Sequence, residues 1–127
     1  MQVVKNERTI FVDVDDTLVM HEKHPGNTNL DLVFIPDNIN LRTEIKVWCN
    51  NSMIRLVKEE FLRGSHIVVW SKGGYQWAEQ VLKALDLCNY VHIVMTKPFA
   101  YFDDKPAYEW MSERVFLEPS VKYKQTK

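Results

Sequence analysis

The sequence predicts a single α/β domain built around a central parallel β-sheet, on three observations. Short apolar runs alternate along the chain with segments of helical periodicity. The runs are apolar throughout, as is typical of strands that are buried on both faces of a sheet. The chain has 127 residues, the length of one ordinary domain. This order of elements favours a Rossmann-like three-layer sandwich, with helices on both faces of the sheet.

Four apolar runs are expected to be strands. The first, at 9–14, is rich in β-branched and aromatic residues. The others are "HIVVW" at 66–70, "VHIVM" at 91–95 and "FAYF" at 99–102. Helical segments separate the first three runs, which predicts that these strands run parallel.

A β-hairpin is expected at about 30–48, between the first strand and the first helix. "LDLVFIP" and "LRTEIKVW" flank "DNIN", and the second run alternates partly between apolar and charged residues. We expect this hairpin to project from the main body as a flap. A loop is expected just before it, at 21–29, where proline, glycine and asparagine cluster.

Capping residues and apolar spacing predict three helices. The first runs to Arg63, with Asn50, Asn51 or Ser52 as its N-cap and Gly64 as its stop. The second is expected at 75–87. A third, short helix begins at Pro106 and ends at Trp110. Residues from about 118 to 127 are polar and basic, and we expect a flexible tail there.

Composition narrows the functional classes. The net charge of -1 gives no sign of a membrane partner, and nucleic acid is expected only as a substrate. The sequence has no signal-peptide pattern and no apolar run of about 18 residues. Cys49 and Cys88 belong to no metal-binding spacing, so we expect buried thiols in a reducing cytoplasm.

Polar groups follow every predicted strand at its carboxyl end, where open α/β sheets bind their ligands. In chain order they are Asp13, Asp15 and Thr17; Ser71, Lys72, Gly73 and Gly74; Thr96 and Lys97; and Asp103 and Asp104. Polar residues able to bind phosphate or a metal at all four strand ends are stronger evidence for a ligand site than a single DxD motif.

These residue types suit phosphoryl transfer. Asp13, with Asp103 or Asp104 or both, offers the oxygen ligands that Mg²⁺ prefers, and the ion would offset the repulsion between the carboxylates. Asp13 can attack phosphorus to form an aspartyl phosphate, while Asp15 can serve as general acid and then general base. The phosphoryl oxygens would bind the Ser71 hydroxyl and the Lys97 ammonium.

The motifs resemble those of the haloacid dehalogenase (HAD) superfamily of phosphohydrolases. "DVDDTLV" resembles the first signature, DxDx[TV], and the strand ending in Ser71 resembles the second. Lys97 resembles the third signature and "YFDD" the fourth, so the resemblance spans about 10–105. Asp16 stands where glycine is frequent in the family.

The resemblance implies a phosphatase that requires Mg²⁺, with Asp13 as nucleophile and Asp15 as acid/base. It also implies Ser71 and Lys97 as phosphate-binding residues, and we expect Lys72 and Gly73, which follow Ser71, to bind the same phosphate. The metal ligands would be Asp13, the backbone carbonyl of Asp15, Asp103 and Asp104. Two points stay open: which of Asp103 and Asp104 binds the ion directly, and whether Lys105 replaces Lys97.

The resemblance also implies a small member with no large cap domain, because the signatures lie close together. Such a site is open, so a nucleotide, a sugar phosphate and a polynucleotide terminal phosphate are all compatible substrates. The hairpin or a second copy in a homo-oligomer could provide a lid. The alternatives are a catalytically silent binding or regulatory protein of this fold and a phospho-receiver domain. His21 and His24 are interpreted as surface loop histidines, and Trp77 as a core residue.

Overall fold

The structure is a computed structural model that describes residues 8–23, 31–37, 43–111, 113 and 115. Its strands and longer helices, in chain order, are β1 (Thr9–Asp13), β2 (Val19–Met20), β3 (Leu32–Pro36), β4 (Glu44–Cys49), α1 (Asn51–Leu62), β5 (His66–Ser71), α2 (Tyr75–Ala84) and β6 (Ile93–Thr96). Short 3₁₀ helices lie at Cys88–Tyr90 and Ala107–Glu109. The predicted tail, His24 and most of the predicted loop lie outside the described residues.

The predicted parallel sheet is confirmed for three strands, in the order β1–β5–β6. Thr9 pairs with His66, and Val68 pairs with Ile93. Helices α1 and α2 form the two crossovers between these strands. Because the strands are parallel and adjacent in this order, their carboxyl ends meet at one rim of the sheet.

Both helices pack on the same face of this sheet. Val12 of β1 lies in one buried cluster with Val57 of α1 and Val81 of α2. On the opposite face, Phe11 is 44% exposed and Ile93 is 46% exposed. Right-handed crossovers between strands taken in sequential order place their helices on one side, which accounts for this arrangement. A third layer on the opposite face stays a prediction.

The predicted hairpin is present as the antiparallel pair of β3 and β4, and β2 extends it to a three-stranded sheet. The expectation that it projects from the main body is wrong for its strands, because Ile35 and Val47 are fully buried in the main core. Alternate residues on one hairpin face are apolar, and that face must be covered. Residues 38–42, where a lid would have its tip, lie outside the described residues.

The helix ends follow from capping. Asn50 caps α1, since its side chain accepts a hydrogen bond from the Met53 N–H at 3.3 Å. Helix α2 ends at Ala84, three residues before the predicted end. Asp86 is in the left-handed region (φ 58°), and the Leu87 N–H donates to the Leu82 carbonyl at 2.9 Å. Leu87 therefore belongs to a C-terminal cap, although its spacing along the chain resembles that of a helix residue.

Two predictions near the C-terminal end are wrong. Residues 99–102 form no strand, and Phe99 and Phe102 are fully exposed. The run is short and follows Pro98, which has no N–H to donate to a neighbouring strand. The helix expected from Pro106 is only the 3₁₀ turn Ala107–Glu109, and Pro106 itself is extended (ψ 150°).

The two cysteines differ in burial. Cys49 is buried as predicted, whereas Cys88 is exposed, which corrects the expectation for that thiol. Cys88 begins a 3₁₀ turn on the surface rather than a strand or helix of the core. Burial and, secondly, the Asp31 carboxylate raise the pKa of the Cys49 thiol.

We expect iodoacetamide to alkylate Cys88 in the native protein and to leave Cys49 unmodified, since the thiolate is the reactive form and the Cys49 thiol is buried with a raised pKa. Intact-protein mass should show one adduct in buffer and two in denaturant. The Cys88→Ser variant should show none in buffer. Rapid modification of Cys49 in the native protein would contradict the burial seen here.

No helix within the described ranges is both long enough and apolar enough to span a lipid bilayer.

Candidate active site

A tight turn after β1 forms the centre of the site. The buried Val14 carbonyl accepts hydrogen bonds from the N–H groups of Thr17, Leu18 and Val19, at 3.2, 2.9 and 3.2 Å. Asp16 has a φ of 61°, a left-handed conformation that glycine adopts most easily and that aspartate tolerates better than most residues. The chain therefore reverses at once, and Asp15 stays at the rim beside the end of β1.

Asp13 at the end of β1 has a cation and a hydroxyl beside it. The Lys97 Nζ lies 3.2 Å from Asp13 Oδ1, and the Thr17 hydroxyl donates to Asp13 Oδ2 at 3.2 Å. Lys97 follows β6, and its backbone N–H donates to the Ser71 carbonyl at 2.9 Å. The side chains of Asp13 and Lys97 are each about one-third exposed, so both can reach a ligand from solvent.

The sequence left open whether Lys97 or Lys105 is the lysine of the site, and the structure places Lys97 beside Asp13. Lys105 is exposed, and its backbone N–H donates to Asp103 Oδ1 at 3.0 Å. Lys72 is also exposed and, among the described residues, makes no recorded hydrogen bond or ion pair. The structure therefore brings Lys97 to the site and not Lys72 or Lys105.

Asp15 accepts hydrogen bonds on both carboxylate oxygens. The Ser71 hydroxyl donates to Asp15 Oδ2 at 3.3 Å, and the Trp77 indole N–H donates to Asp15 Oδ1 at 3.0 Å. His21 Nε2 also lies 2.7 Å from Asp15 Oδ1. These contacts connect the end of β1 to β5 and α2, so Asp13, Asp15, Ser71 and Lys97 form one cluster.

Two members of the site were assigned other roles from the sequence. Trp77 was interpreted as a core residue, and it is buried, but its N–H is directed at a carboxylate. A buried indole N–H needs an acceptor, which is the signal that could have identified it. His21 was interpreted as a surface loop residue, and no spacing in the sequence relates it to Asp15.

Ser71 and Gly73 are close-packed. Ser71 is fully buried, and its Oγ accepts the Gly73 N–H at 3.0 Å. A Cβ on Gly73 would lie 3.3 Å from both Ser71 Oγ and Trp77 Cδ1. Glycine at this position therefore allows the serine hydroxyl and the indole ring to lie close together beside Asp15.

Asp103 and Asp104 lie apart from this cluster, in the exposed segment 101–106 that lines a shallow concavity. In the part of the chain that the structure describes, no three His, Cys, Asp or Glu side chains lie close enough to share a metal ion. The structure thus does not join Asp103 or Asp104 to Asp13 and Asp15.

The donor set at the rim is compatible with Mg²⁺. Its candidate ligands, the Asp13 carboxylate and the Asp15 carbonyl, are oxygens, and Mg²⁺ commonly uses one or two protein carboxylates together with waters and substrate phosphate. No donor among the described residues forms a hydrogen bond with the Asp15 carbonyl. A cation at that oxygen would therefore displace no hydrogen bond from a described residue.

The cluster can bind and attack an oxyanion. Lys97 offers a cation, Asp13 a nucleophilic oxygen, and Asp15 a proton acceptor or donor. The Ser71 hydroxyl, predicted to bind phosphate, is fully buried and donates its one hydrogen to Asp15. Comparison of the chain with protein-family models, curated proteins and solved structures finds no match. The interpretation of the site thus depends on its own chemistry and on the motifs described above.

Proposed function

We propose that this chain is a Mg²⁺-dependent phosphomonoester hydrolase of the HAD type that acts through an aspartyl phosphate on Asp13. The observation that supports this best is the pairing of two carboxylates at one rim of a parallel sheet. Lys97 Nζ lies 3.2 Å from Asp13, and the Ser71 hydroxyl lies 3.3 Å from Asp15. We further propose that the sheet is the centre of a Rossmann-like three-layer sandwich.

The first step transfers the phosphoryl group to the protein. The Lys97 ammonium holds the phosphoryl oxygens, and a carboxylate oxygen of Asp13 forms a bond to phosphorus. Ser71 acts through the hydrogen bond that its hydroxyl donates to Asp15. The bond between phosphorus and the leaving oxygen breaks, and that oxygen takes the electron pair and a proton from Asp15. The Gly73 amide orients the Ser71 hydroxyl, because it donates to Ser71 Oγ.

The second step releases phosphate. Asp15, now a carboxylate, takes a proton from water as the water oxygen bonds to phosphorus. The bond from phosphorus to the Asp13 oxygen breaks, which restores the Asp13 carboxylate and its ion pair with Lys97. A Mg²⁺ ion held by Asp13 and the Asp15 carbonyl would neutralise charge on the phosphoryl group.

The substrate class is a phosphomonoester that reaches an open site. A nucleotide, a sugar phosphate and the terminal phosphate of a polynucleotide all satisfy this chemistry, with nucleic acid as substrate only. We propose a cytoplasmic protein, and a homo-oligomer is compatible with the partial exposure of Phe11 and Ile93 on the sheet face opposite the helices. Among these proposals, the requirement for Mg²⁺ is the most direct to test.

We expect hydrolysis of p-nitrophenyl phosphate with Mg²⁺, loss of that activity in excess EDTA, and its recovery when Mg²⁺ is restored, since the phosphoryl charge would otherwise repel Asp13. Release of p-nitrophenol measures each state. The Asp13→Asn protein, purified in parallel, controls for a contaminating phosphatase. Full activity in excess EDTA would exclude the metal role, and failure to hydrolyse any of a panel of phosphomonoesters with Mg²⁺ would exclude the function.

A further inference from the structure

Trp77 is a buried residue with one polar atom, and that atom contacts the proposed acid/base. Its side chain is 6% exposed and packs in the main core from the first turn of α2. The indole N–H donates to Asp15 Oδ1 at 3.0 Å. The large apolar ring is held by the core, so its N–H has little freedom to move away from Asp15.

The carboxylate of Asp15 is held at both oxygens by buried donors. Trp77 holds Oδ1, and Ser71, which is fully buried, holds Oδ2. His21 also contacts Oδ1, but its side chain is 39% exposed. The two buried donors prevent the carboxylate from rotating about its Cβ–Cγ bond, because rotation would break both hydrogen bonds.

Gly73 provides an independent observation on the same arrangement. A Cβ at this position would lie 3.3 Å from Trp77 Cδ1 and from Ser71 Oγ. The loop between β5 and α2 is thus packed directly against the edge of the indole ring and the serine hydroxyl. The packing that buries Trp77 also aligns the two donors that hold Asp15.

We propose that Trp77 is a positioning residue for Asp15, a role that rests on the proposed phosphatase function. Proton transfer requires Asp15 to lie within hydrogen-bond reach of the leaving oxygen and later of the attacking water. A displacement of about 1 Å in a reacting group can cost about 10²-fold in rate. Trp77 holds the carboxylate in that place by its N–H, and its ring supplies the rigidity.

The test removes the N–H and compares two substrates. Trp77→Phe should lower kcat for ethyl phosphate about 10- to 100-fold, with KM within about threefold, because proton transfer to a poor leaving group depends on the placement of Asp15. The first-turnover burst with p-nitrophenyl phosphate should change by less than about threefold, because this leaving group needs no proton. Trp110→Phe, at an exposed tryptophan, should change neither value.

A second replacement addresses the smaller size of phenylalanine. Benzothienylalanine in place of Trp77 keeps the two-ring outline and exchanges the N–H for sulfur, so the core stays filled. It should reproduce the selective loss with ethyl phosphate. The inference would be overturned if the rates with both substrates fell by the same factor, or if benzothienylalanine left kcat for ethyl phosphate unchanged. Either result would mean that Trp77 contributes packing alone.

A double-mutant cycle separates this inference from the function on which it rests. Trp77→Phe should cause no further loss of ethyl phosphate hydrolysis in an Asp15→Asn background, because it acts through Asp15. If Trp77→Phe lowers the rate of ethyl phosphate hydrolysis by the same factor in the parent and in Asp15→Asn, the positioning role is overturned and the phosphatase function stays intact. If Asp13→Asn retains the activity of the parent, the proposed function fails, and this inference fails with it.

Discussion

Asp13→Asn is expected to lower phosphatase turnover by about 10³-fold or more, because it removes the proposed nucleophile. The substitution keeps the size of the side chain and one oxygen, which can accept from either Thr17 or Lys97, because these two donate to different oxygens of Asp13. The measurement is kcat with p-nitrophenyl phosphate and Mg²⁺. Activity within tenfold of the parent would contradict the role of Asp13.

The fold of this variant should be intact. Asparagine forfeits the ion pair with Lys97, but at a site one-third exposed such a pair contributes about 1 kcal/mol or less. Relief of the repulsion with Asp15 offsets part of that loss. We therefore expect the free energy of unfolding, measured in urea, to stay within about 1 kcal/mol of the parent. Asp86→Asn makes the same chemical change at an exposed cap residue and should leave kcat unchanged.

Asp15→Asn is expected to separate the two chemical steps. Steady-state hydrolysis should fall by about 10²–10⁴-fold, the usual worth of general acid–base catalysis. With p-nitrophenyl phosphate, whose leaving group needs no proton, Asp13 should still be phosphorylated. Without a base to activate water, the aspartyl phosphate should then accumulate as a burst followed by a stall.

Intact-protein mass after an acid quench detects this intermediate. The Asp15→Asn protein, mixed with p-nitrophenyl phosphate and Mg²⁺, should gain one phosphoryl group, and peptide mapping should place it on Asp13. The Asp13→Asn variant serves as the control and should gain none. Parent-like steady-state hydrolysis by Asp15→Asn without an adduct would show that Asp15 is not the base.

The sequence was sufficient for the parallel sheet because the signals are local, whereas the strand order β1–β5–β6 came from the structure. Continuous apolar runs, helical spacing and the Asn50 cap depend on neighbours within a few residues. The rim position of Asp13, Asp15, Ser71 and Lys97 follows from the same signals. Each residue lies at the carboxyl end of a strand or within two residues after it, and parallel strands align their carboxyl ends.

Weak local patterns led to the errors. Residues 99–102 have the composition of a strand, but a strand exists only where a neighbouring strand accepts its hydrogen bonds, and none of the described strands pairs with this segment. The hairpin alternation indicated one apolar face correctly. It carried no information on what covers that face, and Ile35 and Val47 pack into the main core.

The sequence by itself determined which residue types follow each strand, since that depends only on chain order. Tertiary structure alone decided which side chains meet across the rim. It placed Lys97 rather than Lys105 beside Asp13, and it directed the Trp77 N–H at Asp15. Such contacts depend on the register of β6 against β5 and on how α2 packs over the sheet. Both result from packing between residues far apart in the sequence, and the spacing of residues along the chain carries no information about it.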